Sequence, residues 1–173
     1  TVYLGFNCYG VEAASQAYFN KSVLRECELS RILANAKDIR TKCGDRALMR
    51  ALHFFFENER VDLMKQTLSA GELDSYFAGV IESGRSSFNY LQNVYTTKNV
   101  SEQGLSLALC ITERFMTGHK GAFRVHGGGF AGTIQAYIPV DMATLYKDTM
   151  DSVFGEGACL ILRVRPFGAI KVN

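Results

Sequence analysis

The clearest chemical potential in this sequence lies in one glycine-rich run, Gly127-Gly128-Gly129-Phe130-Ala131-Gly132, which directly follows Arg124-Val125-His126. Glycine loses more backbone entropy on folding than any other residue, so such a cluster needs a local reason. One reason is close approach to a ligand, because successive N–H groups in a concave turn can bind phosphate oxygens. A second reason is a tight turn between two antiparallel strands. The residue types alone leave both interpretations open.

Two common nucleotide-binding patterns do not fit this run. Gly127, Gly129 and Gly132 match the G-x-G-x-x-G pattern of dinucleotide-binding folds, but that pattern requires a helix to begin at its last glycine. Polar and apolar residues instead alternate through residues 133–138, and Pro139 follows, which predicts a strand. The sequence contains no G-x-x-x-x-G-K-[ST] run, so it has no P-loop.

Residues 124–132 resemble the third motif of the GHMP small-molecule kinases, in the galactokinase form Arg-Met-Thr-Gly-Gly-Gly-Phe-Gly-Gly. Val125, His126 and Ala131 depart from that form, and residues 100–105 lack the Val-Ser-Cys-Pro-Glu-Leu-Asp segment that galactokinases commonly carry. Further segments are similar to galactokinase segments: Leu24-Arg25-Glu26, Arg50-Ala51-Leu52-His53, Glu57-Asn58-Glu59-Arg60-Val61, Glu82-Ser83-Gly84-Arg85-Ser86-Ser87 and the terminal Gly168-Ala169-Ile170-Lys171-Val172.

The resemblance implies an α+β fold in which a ferredoxin-like antiparallel sheet packs against helices, as in the C-terminal domain of a GHMP kinase. Residues 1–173 would then form a single domain at the C-terminal end of a longer sugar kinase, with residues 1–20 as an entry segment. The partner of this domain would be the missing N-terminal domain. The whole enzyme would use ATP and Mg²⁺ to phosphorylate galactose, or a related sugar, at its C1 hydroxyl.

The same resemblance gives the candidate site. In the family the catalytic aspartate and the sugar-binding segment belong to the N-terminal half, so no catalytic residue and no metal ligand are expected in this chain. Arg124 and His126 are secondary candidates as a cation or a hydrogen-bond donor, and Ser83 and Ser87 as ligand contacts on a helix. The residue types also allow Arg124 to be an exposed strand residue, and they allow Ser83 and Ser87 to cap a helix or to pack. The nucleotide- or substrate-facing loop comprises Gly127, Gly128, Gly129, Phe130 and Gly132.

Composition sets wider bounds on the function. The 173 residues are 47% hydrophobic and 21% charged, which is enough for one good core. A net charge of +2 does not indicate a nucleic-acid partner. The sequence has no long apolar run, which argues against a membrane span. The N-terminus lacks a basic leader, and the five cysteines are scattered. Free thiols and a cytoplasmic location are therefore expected.

Hydrophobic periodicity predicts helices at about 45–69, 73–92, 101–117 and 141–154. Strands are predicted on both sides of the glycine run and at 158–165, which together indicate an α+β domain. Besides the sugar kinase, a second hypothesis is a non-catalytic ferredoxin-like module that binds a metabolite or a partner. An upstream kinase segment in the same reading frame would favour the first hypothesis, whereas a start codon just before Thr1 would favour the second.

Overall fold

The computed structural model describes residues 21, 23–130 and 132–164. The chain divides into two compact units, with the boundary between Tyr137 and Ile138. The single domain expected for residues 1–173 stays a prediction. The entry segment 1–20, Ala131 and the terminal segment 168–172 lie outside the described residues.

The first unit begins with helices that build its apolar core. After a 3₁₀ turn at Leu24–Glu26 come α1 (Leu29–Ala34), α2 (Ala36–Cys43) and the long α3 (Asp45–Ser69). Ile32 of α1 and Ile39 of α2 are almost fully buried and cluster with Cys27 and Ala51. Side chains at one end of α3 complete this core from the other side: Leu48, Leu52 and Phe55. The predicted helix over residues 45–69 is confirmed.

Apolar residues recur at spacings of three and four along α3, from Leu48 to Leu68, which predicts one apolar stripe. That prediction is correct only for the first half of the helix. Leu48, Leu52 and Phe55 pack on the core, but Val61 and Leu68 are 53% and 51% exposed. The fully buried positions of α3 are Ala47, Ala51 and His53. Two of these three residues are alanines and the third is a histidine, so a count of large apolar residues does not identify the buried side of the helix.

The next two helices support the glycine-rich run. Helix α4 (Leu73–Ser86) continues as one π-helical turn, Ser87–Leu91, and α5 spans Gly104–Phe115. The predicted helices at 73–92 and 101–117 are confirmed, apart from residues at their ends. The sequence predicts a loop or short extended link at 93–100, and the structure has an irregular link there that continues to Gln103. Helix α4 packs against α3, against the π-helical turn and against the first strand.

The sheet of the first unit is a two-stranded antiparallel hairpin. Strands β1 (Ala122–His126) and β2 (Thr133–Tyr137) pair in the register Ala122 with Tyr137 and His126 with Thr133. Helices α4 and α5 both pack against this hairpin. The strands predicted on either side of the glycine run are therefore confirmed. The combination of helices with a two-stranded antiparallel sheet is compatible with the predicted α+β class.

Two close approaches fix the hairpin against α4. A Cβ atom at Gly84 would lie 3.0 Å from Cβ of Arg124, so glycine at this position lets α4 approach β1. At the other end of the hairpin, the Tyr137 ring packs against Tyr76 and Phe77 with centroid distances of 6.1 and 5.4 Å. The hydroxyl oxygens of Tyr76 and Tyr137 are 3.3 Å apart. Burial raises the pKa of Tyr137 to about 12.

The second unit contains a 3₁₀ turn at Val140–Met142 and helix α6 (Ala143–Phe154), so the helix predicted at 141–154 is confirmed. The Asp151 carboxylate accepts hydrogen bonds from Lys147 Nζ and from the backbone N–H groups of Gly157 and Cys159, the last at 2.8 Å. The Lys147 ammonium, followed by those N–H donors, lowers the pKa of Asp151.

The strand predicted at 158–165 is wrong for residues 158–164, and Arg165 lies outside the described residues. Leu160, Ile161, Leu162 and Val164 are between 58% and 93% exposed. The alternating sequence pattern satisfies the side-chain requirement of a strand, but a strand also needs a neighbour to pair its backbone groups. No described residue supplies that neighbour. Within the described residues, no helix has the length and apolar character needed to cross a bilayer.

The contact between Gly121 and β2 gives a prediction about stability. Gly121 has φ +148°, and a Cβ atom there would lie 2.1 Å from the carbonyl oxygen of Tyr137. We expect Gly121→Ala to lower the free energy of unfolding by about 2–3 kcal/mol, because the strained backbone must also shift. Gly104→Ala is the matched control, since a Cβ atom at Gly104 meets nothing within 4 Å. Equal urea midpoints for the two variants would contradict the prediction.

Candidate functional site

The glycine loop between β1 and β2 is open on its outer side. Gly127, Gly128 and Gly132 are exposed, and a Cβ atom added at Gly127 or Gly128 would meet nothing within 4 Å. Gly127 and Gly129 have φ of +68° and +77°, which are values that favour glycine. Gly128 has no positive φ, so its lack of a side chain is not explained by the fold.

The backbone donors of this loop are available. Within the described part of the chain, the N–H groups of Gly127, Gly128 and Gly129 donate to no acceptor. The Gly132 N–H closes the loop by donating to the Gly129 carbonyl at 3.1 Å. Successive unpaired N–H groups in a turn form a small positive surface that can bind an anion. The run is therefore a hairpin turn, and binding of a phosphate by its free donors stays a prediction.

One buried residue holds the loop from below. Asn93 is 2% exposed and lies just after the π-helical turn. Its carbonyl oxygen accepts from the Phe130 N–H at 2.5 Å, and its Nδ2 donates to the Gly128 carbonyl at 3.3 Å. A Cβ atom at Gly129 would lie 2.1 Å from the Asn93 carbonyl oxygen, so Gly129 must be glycine for this contact to form. Sequence reasoning places Asn93 in a polar link and misses this role.

Arg124 belongs to an ion-pair network and is not free at the strand surface. Its Nη1 donates to Ser83 Oγ at 2.5 Å and lies 3.4 Å from Glu57 Oε1. Its Nε donates to the Val125 carbonyl at 3.0 Å. The Ser83 hydroxyl in turn donates to Glu57. The guanidinium therefore connects β1 to α3 and α4, and its exposed-strand interpretation is wrong.

Glu57 is the shared acceptor of this network. Arg60 also donates to its carboxylate, and the side chains of Glu57 and Arg60 are only 20% and 16% exposed. Both residues belong to a galactokinase-like segment, but the sequence does not predict that they lie in a half-buried cluster. The periodicity of α3 carries no signal for it, because the partners Ser83 and Arg124 lie on other elements. Charge-assisted hydrogen bonds of this kind are among the stronger polar contacts in proteins.

The remaining predicted residues have mixed placements. Ser83 is fully buried and Ser87 is 1% exposed, so neither hydroxyl faces solvent in this conformation. His126 is exposed at the end of β1. Phe130 is 44% exposed with φ +60°, which is unusual for an aromatic residue. The loop residues and His126 share one end of the hairpin, and their ligand role stays a prediction.

His53 is a buried histidine with a defined partner. It is 5% exposed, and its Nδ1 lies 2.8 Å from Ser86 Oγ. Burial lowers the pKa of His53, Glu57 raises it, and Arg60 and Arg124 lower it further. The net direction is downward, so the folded protein holds this imidazole neutral. Its role is therefore in the packing and hydrogen bonding of the fold.

The two implied cofactors, ATP and Mg²⁺, differ in how well the described residues suit them. The loop could accommodate an anion such as a phosphate group, because the N–H groups of Gly127 and Gly128 have no acceptor among the described residues and no side chain blocks them. In the described part of the chain, no group of three or more His, Cys, Asp and Glu side chains could hold a metal ion. A Mg²⁺ ion would therefore need ligands from elsewhere.

The burial of His53 predicts how stability depends on pH. A lowered pKa in the folded state means that the unfolded chain binds the proton more readily, so the free energy of unfolding falls as the pH drops below about 6.5. We expect His53→Gln to flatten the slope between pH 7 and pH 5.5 by up to about 1.4 kcal/mol per pH unit. Urea unfolding at several pH values measures this slope. The exposed His119 offers the control variant His119→Gln, and an identical slope in wild type and His53→Gln would refute the prediction.

No known protein-family model matches this chain, and no curated protein sequence matches it. The galactokinase resemblance therefore depends on the short motifs quoted above.

Proposed function

We propose that this chain is the C-terminal part of a galactokinase-like enzyme that transfers the ATP γ-phosphate to the C1 hydroxyl of galactose or a related sugar. In this proposal the glycine loop forms the wall of the active-site cleft at the phosphate end. The missing N-terminal domain supplies the catalytic base, the sugar-binding segment and the Mg²⁺ ligands.

The observation that carries the proposal is the open face of Gly127 and Gly128. The backbone N–H groups of both residues have no acceptor among the described residues, and a Cβ atom added to either residue would meet nothing within 4 Å. A turn that only joined two strands would tolerate a small side chain at Gly128, whose φ is not positive. Glycine at that position is explained if a ligand or another domain comes within contact distance of the backbone.

The proposed role of the loop is to hold a phosphate group by hydrogen bonds. Backbone N–H groups that donate to a phosphate oxygen form charge-assisted hydrogen bonds, which are shorter and stronger than neutral ones. Donors fixed before the ligand arrives also need no reorganisation as charge moves during phosphoryl transfer. The Asn93 contacts hold the loop in such a fixed shape. His126, exposed beside the loop, is a further donor toward the same ligand.

The ferredoxin-like sheet is part of the same proposal. Strands β1 and β2 are antiparallel neighbours with α4 and α5 packed against them, as such a fold requires. Further strands would have to pair with this hairpin to complete the sheet. A cytoplasmic location for the enzyme is proposed on the same grounds, because ATP and the sugar substrate are metabolites of that compartment.

The proposal predicts a specific effect of a side chain at Gly128. In the full-length enzyme, we expect Gly128→Val to lower kcat/KM for galactose phosphorylation about 100-fold, since it blocks the approach of the phosphate to the loop donors. The fold should survive, with the free energy of unfolding changed by less than about 1 kcal/mol. Gly104→Val is the matched control and should keep full activity. Wild-type kinetics in a folded Gly128→Val enzyme would refute the role of the loop.

A second prediction concerns the 173-residue chain alone. We expect it to show no ATP-dependent phosphorylation of galactose, because the proposed mechanism places the base outside these residues. A coupled assay for ADP release, with the full-length enzyme as the positive control, measures this. Turnover by the pure 173-residue chain would contradict the proposed division of roles. If the full-length enzyme also phosphorylates no sugar, the non-catalytic binding module becomes the better hypothesis.

A further inference from the structure

Asn93 occupies an unusual position beneath the glycine loop. It is 2% exposed, and its two polar backbone and side-chain contacts are made to neighbouring parts of the same loop. The Phe130 N–H donates to its carbonyl oxygen, and its Nδ2 donates to the Gly128 carbonyl. The loop is thereby held on both sides of Gly129, where a Cβ atom would collide with Asn93.

Burial of the Asn93 side chain has a free-energy cost that its packing does not explain. Its Oδ1 is buried and has no hydrogen-bond partner among the described residues. A buried acceptor without a partner is unfavourable, and leucine of similar size would avoid that cost. The other polar atom of the amide explains why asparagine is present, because Nδ2 is the donor that fixes the Gly128 carbonyl. That bond turns the carbonyl toward the protein interior.

Asn93 is itself held firmly by the preceding residues. Gln92 ends the π-helical turn in the left-handed conformation, with φ 55° and ψ 50°. Arg46 of α3 donates to the Gln92 carbonyl at 3.0 Å, and Arg50 donates to the Leu91 carbonyl at 3.0 Å. Two guanidinium groups therefore satisfy carbonyls at the end of this helix, where they would otherwise lack partners.

We propose that Asn93 is a positioning residue for the glycine loop, and that it sets the loop shape in which the Gly127 and Gly128 N–H groups stay free for a phosphate. This inference rests on the proposed function for the identity of the ligand. The claim that the Asn93 amide fixes the loop depends only on the contacts described above. Arg46 and Arg50 act indirectly, because their hydrogen bonds fix the backbone of the two residues before Asn93.

The test uses Asn93→Leu, which keeps the size of the side chain and the backbone carbonyl but removes the amide donor. The matched control is Asn89→Leu at an exposed position four residues earlier. In the 173-residue chain, we expect Asn93→Leu to shift the Gly127 and Gly128 amide resonances. Amide exchange at Phe130 should accelerate about 10-fold, because the loop opens more readily once the hydrogen bond from Asn93 Nδ2 to the Gly128 carbonyl is lost. Asn89→Leu should change neither quantity.

Activity is the second readout, in the full-length enzyme. We expect Asn93→Leu to lower kcat/KM for galactose phosphorylation about 10-fold, with a urea midpoint close to that of wild type. A general loss of stability would instead move the midpoint without a selective change at the loop. Shifted loop resonances with unchanged kinetics would overturn the role of Asn93 in positioning the loop for catalysis.

The two proposals fail in different ways. If the wild-type full-length enzyme phosphorylates no sugar, the proposed function fails, and the resonance and exchange data still decide whether Asn93 fixes the loop. Should Asn93→Leu not fold, Asn93→Ser, which also lacks the Nδ2 donor, takes its place, and the same shifts of the Gly127 and Gly128 amide resonances are expected. Unchanged resonances in a folded Asn93→Ser chain would overturn the inference.

Discussion

The carboxylate of Glu57 is the interaction on which the arrangement of the first unit depends. It receives hydrogen bonds from Ser83 of α4 and Arg60 of α3, and it lies 3.4 Å from Nη1 of Arg124 in β1. Three elements distant in sequence are therefore joined at one acidic group. Removal of that group would leave two half-buried guanidinium groups without their shared partner, which is a far larger cost than loss of a surface ion pair.

The proposed phosphate-binding role places two demands on the glycine loop. A loop that binds phosphate must expose backbone donors, yet an unsupported run of glycines would lose too much entropy to hold one shape. The protein meets the first demand at Gly127 and Gly128, which face open space, and the second at Gly129, which packs on Asn93. Each glycine thus has its own physical reason, although the sequence presents them as one run.

Sequence patterns predicted the helices and the hairpin well because those features are local. The periodicity of α3 indicated its full extent from Asp45 to Ser69, and the alternation after Gly132 indicated β2. The Glu57 network could not be predicted, since Ser83 and Arg124 lie 26 and 67 residues away from Glu57. Asn93 was missed for the same reason. The strand expected at 158–165 is wrong over residues 158–164, because alternation specifies the two faces of a strand, whereas a strand also requires a neighbour.

The π-helical turn at Ser87–Leu91 has a geometric consequence for the loop. Each residue in an ordinary α-helix advances the direction of its side chain by about 100°, and a π turn accommodates one additional residue within a helix. The widened turn thus determines the angular direction in which the chain leaves α4. Deletion of a single residue from this turn would rotate the exit by roughly a quarter of a revolution and carry the amide of Asn93 away from the hairpin. The helix period, as well as the identity of residue 93, therefore determines whether Asn93 contacts the glycine loop.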